Sequence, residues 1–295
     1  MLLGEIFAMA TAFCWSGSSF AFTAAAERLG SLQLNINRLI LAAFLLLITI
    51  LLLGINFHLS SWQYINLAIS GSIGFVFGDT FLFKAYQHVG ARIGMLMMSL
   101  NPLISALLAF IFLNELISFW GIVGIAITIG GVTLVVAERK EIPSAKYKIS
   151  KIGIFYGAMG ALGQAVGMIF TKEAFNLGEI NGFVASLVRI VSAVIILLPI
   201  IILTGRYKNP VKIFTNDVKA FASTLTGTIF GPYLGVTFSL LAVEYAKVGI
   251  AATLMATVPI IMLPIAHYVF KEKLSWRAIT GAVLAVAGVA ILFLR

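Results

Sequence analysis

The sequence predicts an all-α integral membrane protein with ten transmembrane helices, arranged as two inverted five-helix repeats. Three observations predict this fold. The composition is very apolar, the apolar residues form runs of membrane-spanning length, and glycine, proline and glutamate positions recur at a constant spacing. The distribution of Lys and Arg among the loops adds a predicted orientation.

The composition is unlike that of a soluble domain. Of the 295 residues, 61% are hydrophobic and 11% are charged, whereas soluble domains carry about 25% charged residues. Because so few charged residues cannot cover the surface of a globular protein, we expect the lipid bilayer to surround most of the chain. The formal net charge of +9 could indicate a nucleic-acid partner. We expect none, because the basic residues flank apolar runs and form no basic domain.

Ten apolar runs are long enough to cross the membrane. A helix needs about 20 apolar residues to cross the hydrocarbon layer, and lipid favours helices because their backbone hydrogen bonds are internal. The first run could be a signal peptide, but no Lys or Arg precedes it and it is longer than a signal-peptide core, which favours a membrane helix. The predicted spans cover residues 4–26, 35–54, 62–83, 93–112, 117–137, 152–171, 183–204, 218–243, 250–270 and 276–294.

A polar segment divides the chain into two similar halves. We predict a first repeat over residues 1–137, a linker over 138–151 and a second repeat over 152–295. A shift of 157 residues aligns the last three spans of each half without a gap. It pairs Gly74 with Gly231, Gly78 with Gly235, Pro102 with Pro259 and Glu115 with Glu272. Five spans per repeat is an odd number, so the second copy enters the membrane from the opposite side.

The basic residues predict the orientation in the membrane. Fifteen of the 20 Lys and Arg residues fall at one predicted face, three fall at the other, and Arg38 and Arg189 lie within spans. Because cytoplasmic loops collect Lys and Arg, we predict a multi-pass protein of the cytoplasmic membrane. Both termini are expected outside and the 138–151 linker in the cytoplasm.

Three ionisable residues within the spans are candidates for function, because charge inside a membrane usually faces a cavity or the bundle interior. Arg38 and Arg189, which correspond at a different shift, could bind a carboxylate or phosphate. They could also reach lipid headgroups or bond a backbone carbonyl. Asp79 could bind a substrate amine, relay a coupling proton or pair with nearby Lys84.

Other polar residues lie deep in glycine-rich or kinked spans. Trp15 and Tyr233 are far from the interfacial aromatic belts, and Asn101 precedes Pro102. Glycines four residues apart favour close helix packing, and Gly231-Pro232 predicts a kink. The predicted substrate-binding residues are Trp15, Ser16, Arg38, Asp79, Asn101, Gln164, Arg189 and Tyr233.

Enzyme motifs are missing from the sequence. It contains no P-loop, no nucleophile elbow and no metal-ligand spacing, and its single cysteine, Cys14, lies in an apolar run. We therefore predict that the protein is not an enzyme and binds no cofactor or metal.

These features resemble the drug/metabolite transporter superfamily, specifically its EamA-type ten-helix carriers. The resemblance covers the whole chain and rests on the duplicated unit, on Trp15-Ser16-Gly17, on Arg38, and on the stretches 102–115 and 259–272. The second half departs from the first by having Gly163-Gln164 where Trp15-Ser16 would align.

The resemblance implies a secondary carrier with a central cavity between the halves, which works by alternating access. The implied partner is a small-molecule substrate, an amino acid or related metabolite, moved by export. Two alternatives remain open from the residues: an exporter of hydrophobic cations, and a non-transporting scaffold or lipid-handling protein. The residues define no oligomeric state.

Overall fold

The computed structural model describes residues 2–112, 116–137, 150–246, 248–269 and 271–294, and every regular element in these ranges is a helix. Glu115 and almost all of the predicted 138–151 linker lie outside the described residues.

The first half contains six α-helical segments and one π-helical stretch. In chain order they are α1 Leu2–Leu29, α2 Ser31–Leu52, α3 Ser61–Gly71, π1 Ser72–Gly78, α4 Asp79–Met98, α5 Leu100–Phe112 and α6 Phe119–Val136. Gly30 alone joins α1 to α2, with φ at 81°. At Gly90, φ is 74° and ψ is 172°, a conformation that glycine adopts readily. The chain is kinked there, so α4 contributes to two successive helices.

The second half contains eight α-helical segments and two π-helical stretches. They are α7 Lys151–Asn176, α8 Gly182–Leu203, α9 Pro210–Asn216, α10 Val218–Thr228, π2 Ile229–Gly235, α11 Val236–Tyr245, α12 Val248–Met255, α13 Val258–Pro264, π3 Ile265–Val269 and α14 Trp276–Leu294. The predicted kink at Gly231-Pro232 lies within π2.

Apolar helices of membrane-spanning length dominate the fold. Within the described ranges, eight helical stretches are long and apolar enough to cross a membrane, and Leu100–Phe112 is a shorter apolar helix. The predicted all-helical, multi-pass membrane architecture is therefore confirmed. The count of ten spans stays a prediction, which the kink at Gly90 supports because it divides the stretch Ser61–Met98 in two.

Several elements recur at the same spacing in both halves. The π-helical stretches π1 and π2 each have seven residues and begin 157 residues apart, at Ser72 and Ile229. Helices α2 and α8 each have 22 residues and begin 151 residues apart, at Ser31 and Gly182. These matches support the predicted duplication.

The packing of α6 on α14 supports an inverted relation between the halves. Gly124 contacts the Gly288 carbonyl, Gly131 contacts the Gly281 carbonyl, and a Cβ at either residue would lie 2.6 Å from that oxygen. As residue number rises along α6 it falls along α14, so the helices are antiparallel. A shift of 157 residues relates Gly124 to Gly281 and Gly131 to Gly288, so applying it to one of these contacts gives the other. This exchange is expected for a two-fold axis perpendicular to the helices.

The largest apolar cluster joins the two halves through α2 and α8. Residues of both helices interdigitate along their length; the fully buried members include Ile36, Leu39, Leu46, Ile50, Ile190, Leu197 and Ile201. Because Arg38 and Arg189 lie on these same helices, this packing holds both arginines at the junction between the halves.

Candidate functional site

A buried ion pair lies at the junction of the halves. The Arg38 guanidinium donates to Asp79, and their side chains are only 6% and 7% exposed. The Arg38 Nε also donates to the Asn35 amide oxygen at 3.1 Å. Asn35, which is fully buried, donates in turn to the Thr80 hydroxyl at 3.0 Å. Buried charges need such partners, and here neighbouring turns of α2 and α4 supply them.

Gln164 of α7 brings the second half to the same carboxylate. Its side-chain amide donates to the other Asp79 oxygen and, at 3.2 Å, to the Gly74 carbonyl. Gln164 can reach Asp79 because the backbones of α7 and π1 lie close together, as a Cβ at Gly163 would lie 2.7 Å from the Gly78 Cα. Asp79 is also the first residue after π1, and π-helical turns are frequent at functional sites.

Arg189 completes the cluster from α8. Its guanidinium carbon lies 4.7 Å from the centre of the Phe75 ring, and the Arg38 guanidinium carbon lies 5.9 Å from the same ring. The Arg189 Nε is buried without a hydrogen-bond partner. Within the part of the chain that the structure describes, no hydrogen bond joins the Arg189 guanidinium to another residue.

The cluster carries an excess of positive charge. Arg38 and Arg189 are two cations, and Asp79 is the one carboxylate that contacts either of them among the described residues. Phe22, Phe75 and Phe83 lie within cation–π distance of Arg38, and such ring faces stabilise a cation. The site is therefore suited to a single additional negative charge.

Half of the predicted substrate-binding residues meet in this cluster, namely Arg38, Asp79, Gln164 and Arg189. The alternative pairing of Asp79 with Lys84 is wrong. The Lys84 ammonium lies over the Phe81 and Tyr156 rings, 5.0 and 5.4 Å from their centres. Arg38 is 5% exposed and bonds within the bundle, so it does not extend to headgroups.

The other four predicted residues lie elsewhere. Trp15 packs against Gly235 of π2, and Ser16 is fully buried with its hydroxyl donating to the Ala12 carbonyl at 2.7 Å. Tyr233 shares a hydrogen bond of 3.0 Å with Thr49 of α2. Asn101, on α5, accepts from Ser105 at 3.1 Å. Their substrate-binding role stays a prediction.

Sequence reasoning missed Asn35, Phe75 and Thr80 as members of the cluster. Asn35 precedes Arg38 by three residues, and this spacing places both side chains on one face of a helix. That signal was available in the sequence. Nothing in the sequence distinguishes Phe75 from the other 22 phenylalanines.

Two ion pairs join the halves at one end of the bundle, which we call the basic end and define by Arg28, Arg92, Asp217 and Glu272. Arg28 donates to Asp217 at 2.9 Å, and Arg92 donates to Glu272 at 3.1 Å. Asp217 also caps α10 by accepting from the Ala220 amide at 3.0 Å. That backbone hydrogen bond, followed by the Arg28 contact, lowers the pKa of the Asp217 carboxyl below its ordinary value.

The opposite end carries an open cleft of about 850 Å³. Its lining includes Asn56 and His58, which follow α2, Asn176 at the end of α7, and Glu179 and Asn181 between α7 and α8. A second, apolar cleft of about 530 Å³ lies between α1 and Leu254. None of the predicted substrate-binding residues lines either cleft.

The sequence matches the EamA-like transporter family over residues 2–137 and 151–294. The chain belongs to the EamA-like transporter family. Its predicted place in the drug/metabolite transporter superfamily is thereby confirmed. The family assignment favours transport over catalysis, and the two matched ranges lie close to the two predicted repeats.

Two individual proteins are similar to this EamA-like protein. An uncharacterized transporter of Clostridium kluyveri is 27% identical over 143 residues, which is 48% of this chain and 45% of the relative. The match thus spans about half the length of that relative. A crystal structure of another protein superposes with a TM-score of 0.67 at 16% identity, over 99% of this chain and 96% of the other. At that identity the likeness concerns the fold alone.

Proposed function

We propose that this EamA-like protein is a secondary transporter that exports a small polar metabolite, such as an amino acid or a related compound, across the cytoplasmic membrane. The observation that carries the proposal is the cluster of Arg38, Asp79, Gln164 and Arg189 at the junction of the halves, in which Arg38 and Asp79 are buried. Charged groups inside a membrane are costly and mark substrate or ion pathways.

The two ends of the bundle support alternating access as the mechanism. At the basic end, the Arg28–Asp217 and Arg92–Glu272 ion pairs each join the first half to the second. The opposite end carries the open cleft. In an inverted-repeat transporter, exchanging the conformations of the halves closes one end and opens the other. With the basic end in the cytoplasm, the termini lie outside.

The charge of the cluster favours a polar metabolite over a hydrophobic cation. A cationic drug would have to approach two arginines, whereas Asp79 already accepts hydrogen bonds from Arg38 and Gln164. Asp79 remains the candidate for a coupling proton, because it is the one carboxylate of the cluster.

Flux through liposomes reconstituted with the full chain tests the proposal. Radiolabelled amino acids, sugar phosphates, nucleobases and a hydrophobic cation are each tested for exchange. We expect exchange of a polar metabolite above the rate of protein-free liposomes, and loss of that exchange in Arg189→Ala. Arg206→Gln, at an exposed loop position, is the matched control and should retain it. Exchange of the hydrophobic cation alone, or of nothing in the panel, would overturn the proposal.

A further inference from the structure

The two halves differ at one position of the buried cluster. In the first half, Asp79 directly follows π1 and pairs with Arg38. At the same place in the second half, directly after π2, the residue is Val236. Arg38 and Arg189 are themselves equivalent, because each is the eighth residue of a 22-residue helix. The second half therefore keeps the arginine of this pair and lacks its carboxylate.

The remaining neighbours do not compensate for the missing carboxylate. Each Asp79 oxygen already accepts a hydrogen bond, one from Arg38 and the other from Gln164. The Phe75 ring faces the Arg189 guanidinium but offers no hydrogen-bond acceptor. The Arg189 Nε consequently stays buried without a partner among the described residues. An unsatisfied buried donor is unfavourable, and more so when it is charged.

We propose that Arg189 binds a carboxylate of the transported molecule, which supplies the ion-pair partner that the described residues do not provide for Arg189. This inference rests on the proposed transport function and narrows its substrate class to small molecules with one carboxylate. A guanidinium binds a carboxylate through two parallel hydrogen bonds. One carboxylate group matches the single excess positive charge of the cluster, and an amino acid meets this condition with its carboxylate at Arg189 and its ammonium group outside the cluster. A phosphate monoester, with a charge of about −2 at neutral pH, would overcompensate the excess charge.

Thermal unfolding of the detergent-purified full chain tests this assignment. The probes are the common amino acids, their 2-hydroxy acid analogues, their carboxamides and their decarboxylated amines, with decanoate as a lipid-like carboxylate. A ligand that binds only the folded state raises the unfolding temperature. We expect stabilisation by one or more short carboxylates and by none of the matching carboxamides or amines, since only the former present an anion to Arg189.

Variants locate the effect at Arg189. Arg189→Gln should weaken the apparent affinity for the stabilising carboxylate by roughly ten- to hundredfold, as expected from the loss of a charged hydrogen bond. Arg189→Lys, which keeps the charge, should recover part of the response, and Arg206→Gln should retain all of it.

Four results would overturn the inference. They are stabilisation by carboxamides or amines, stabilisation by decanoate alone, an undiminished response in Arg189→Gln, and no response to any short carboxylate. Liposome flux separates this failure from failure of the proposed function. Exchange of an uncharged metabolite alone would support the proposed transport function and contradict carboxylate binding at Arg189. The absence of any exchange would contradict both.

Discussion

Arg38 and Arg189 occupy the eighth position of two 22-residue helices, α2 and α8, yet only Arg38 forms an ion pair. The partner of Arg38 is Asp79, and the position equivalent to Asp79 in the second half is Val236. The bundle thus places two guanidinium groups near one Phe75 ring and provides an ion-pair partner for one of them among the described residues. This difference leads to separate expectations for the two arginines.

The Arg38–Asp79 pair should contribute to stability as a unit. Removing one partner leaves the other charge buried and uncompensated, which typically costs about 3–5 kcal/mol. We expect Arg38→Gln and Asp79→Asn each to lower the unfolding temperature of the detergent-purified protein strongly. The unfolding temperature of the double variant should decrease by clearly less than the sum of the two single decreases, because neither charge remains. Additive losses would show that the two side chains are not coupled.

Arg189 should behave differently from Arg38 in the same measurement. Since Arg189 makes no ion pair or hydrogen bond within the described residues, Arg189→Gln removes a half-buried charge and leaves Asp79 still paired with Arg38. We expect an unfolding temperature equal to or above that of the wild type without ligand, in contrast to the large loss in Arg38→Gln. Equal losses in the two variants would show that Arg189 has an internal partner.

The α6–α14 contact depends on glycine at specific positions. A Cβ at Gly124 would lie 2.6 Å from the Gly288 carbonyl oxygen, whereas a Cβ at Gly130, on the same helix, would meet nothing within 4 Å. Gly124→Ala should therefore lower the free energy of unfolding by about 1–3 kcal/mol, the usual cost of overpacking. Gly130→Ala, the matched control, should be neutral or stabilising by about 0.5–1 kcal/mol. Thermal unfolding of Gly124→Ala and Gly130→Ala under the same conditions measures this difference in stability.

The basic end should weaken in acid through Asp217. The α10 cap and Arg28 lower the pKa of this carboxyl in the folded protein, so its contribution is complete above the unfolded pKa of about 3.9. It is lost as pH falls through the lower, folded value. We expect Asp217→Asn, which retains a capping side chain, to show a smaller loss of unfolding temperature between neutral and acidic pH than the wild type.

Two comparisons test that interpretation of Asp217. Asp217→Ala removes both the cap and the ion pair, so it should be less stable than Asp217→Asn at neutral pH. Added salt should lower the unfolding temperature of the wild type toward that of Asp217→Asn, because salt screens exposed ion pairs. An acid response in Asp217→Asn as large as that of the wild type would assign the effect to another group.

Much of the architecture follows from local properties that a sequence displays directly. The length and apolarity of the runs predict membrane helices, because the bilayer thickness and the need for internal hydrogen bonds leave few other choices. The recurrence of Gly78 and Gly235 at a spacing of 157 predicts corresponding positions, which the structure places at the last residues of π1 and π2. Costly in-span charges likewise identified Arg38, Asp79 and Arg189 as candidates.

Tertiary structure decided which of these candidates meet and which partner each has. Proximity in sequence made Lys84 one of the alternative partners of Asp79, but the packing of α2 against α4 brings Arg38 to it. Gln164 reaches the same carboxylate because Gly78 and Gly163 let α7 approach closely. Among the described residues, the placement of α8 leaves the Arg189 Nε without a hydrogen-bond partner. Helix formation depends on neighbours within a few residues, whereas the compensation of a buried charge depends on groups that only the packed bundle brings within hydrogen-bonding distance.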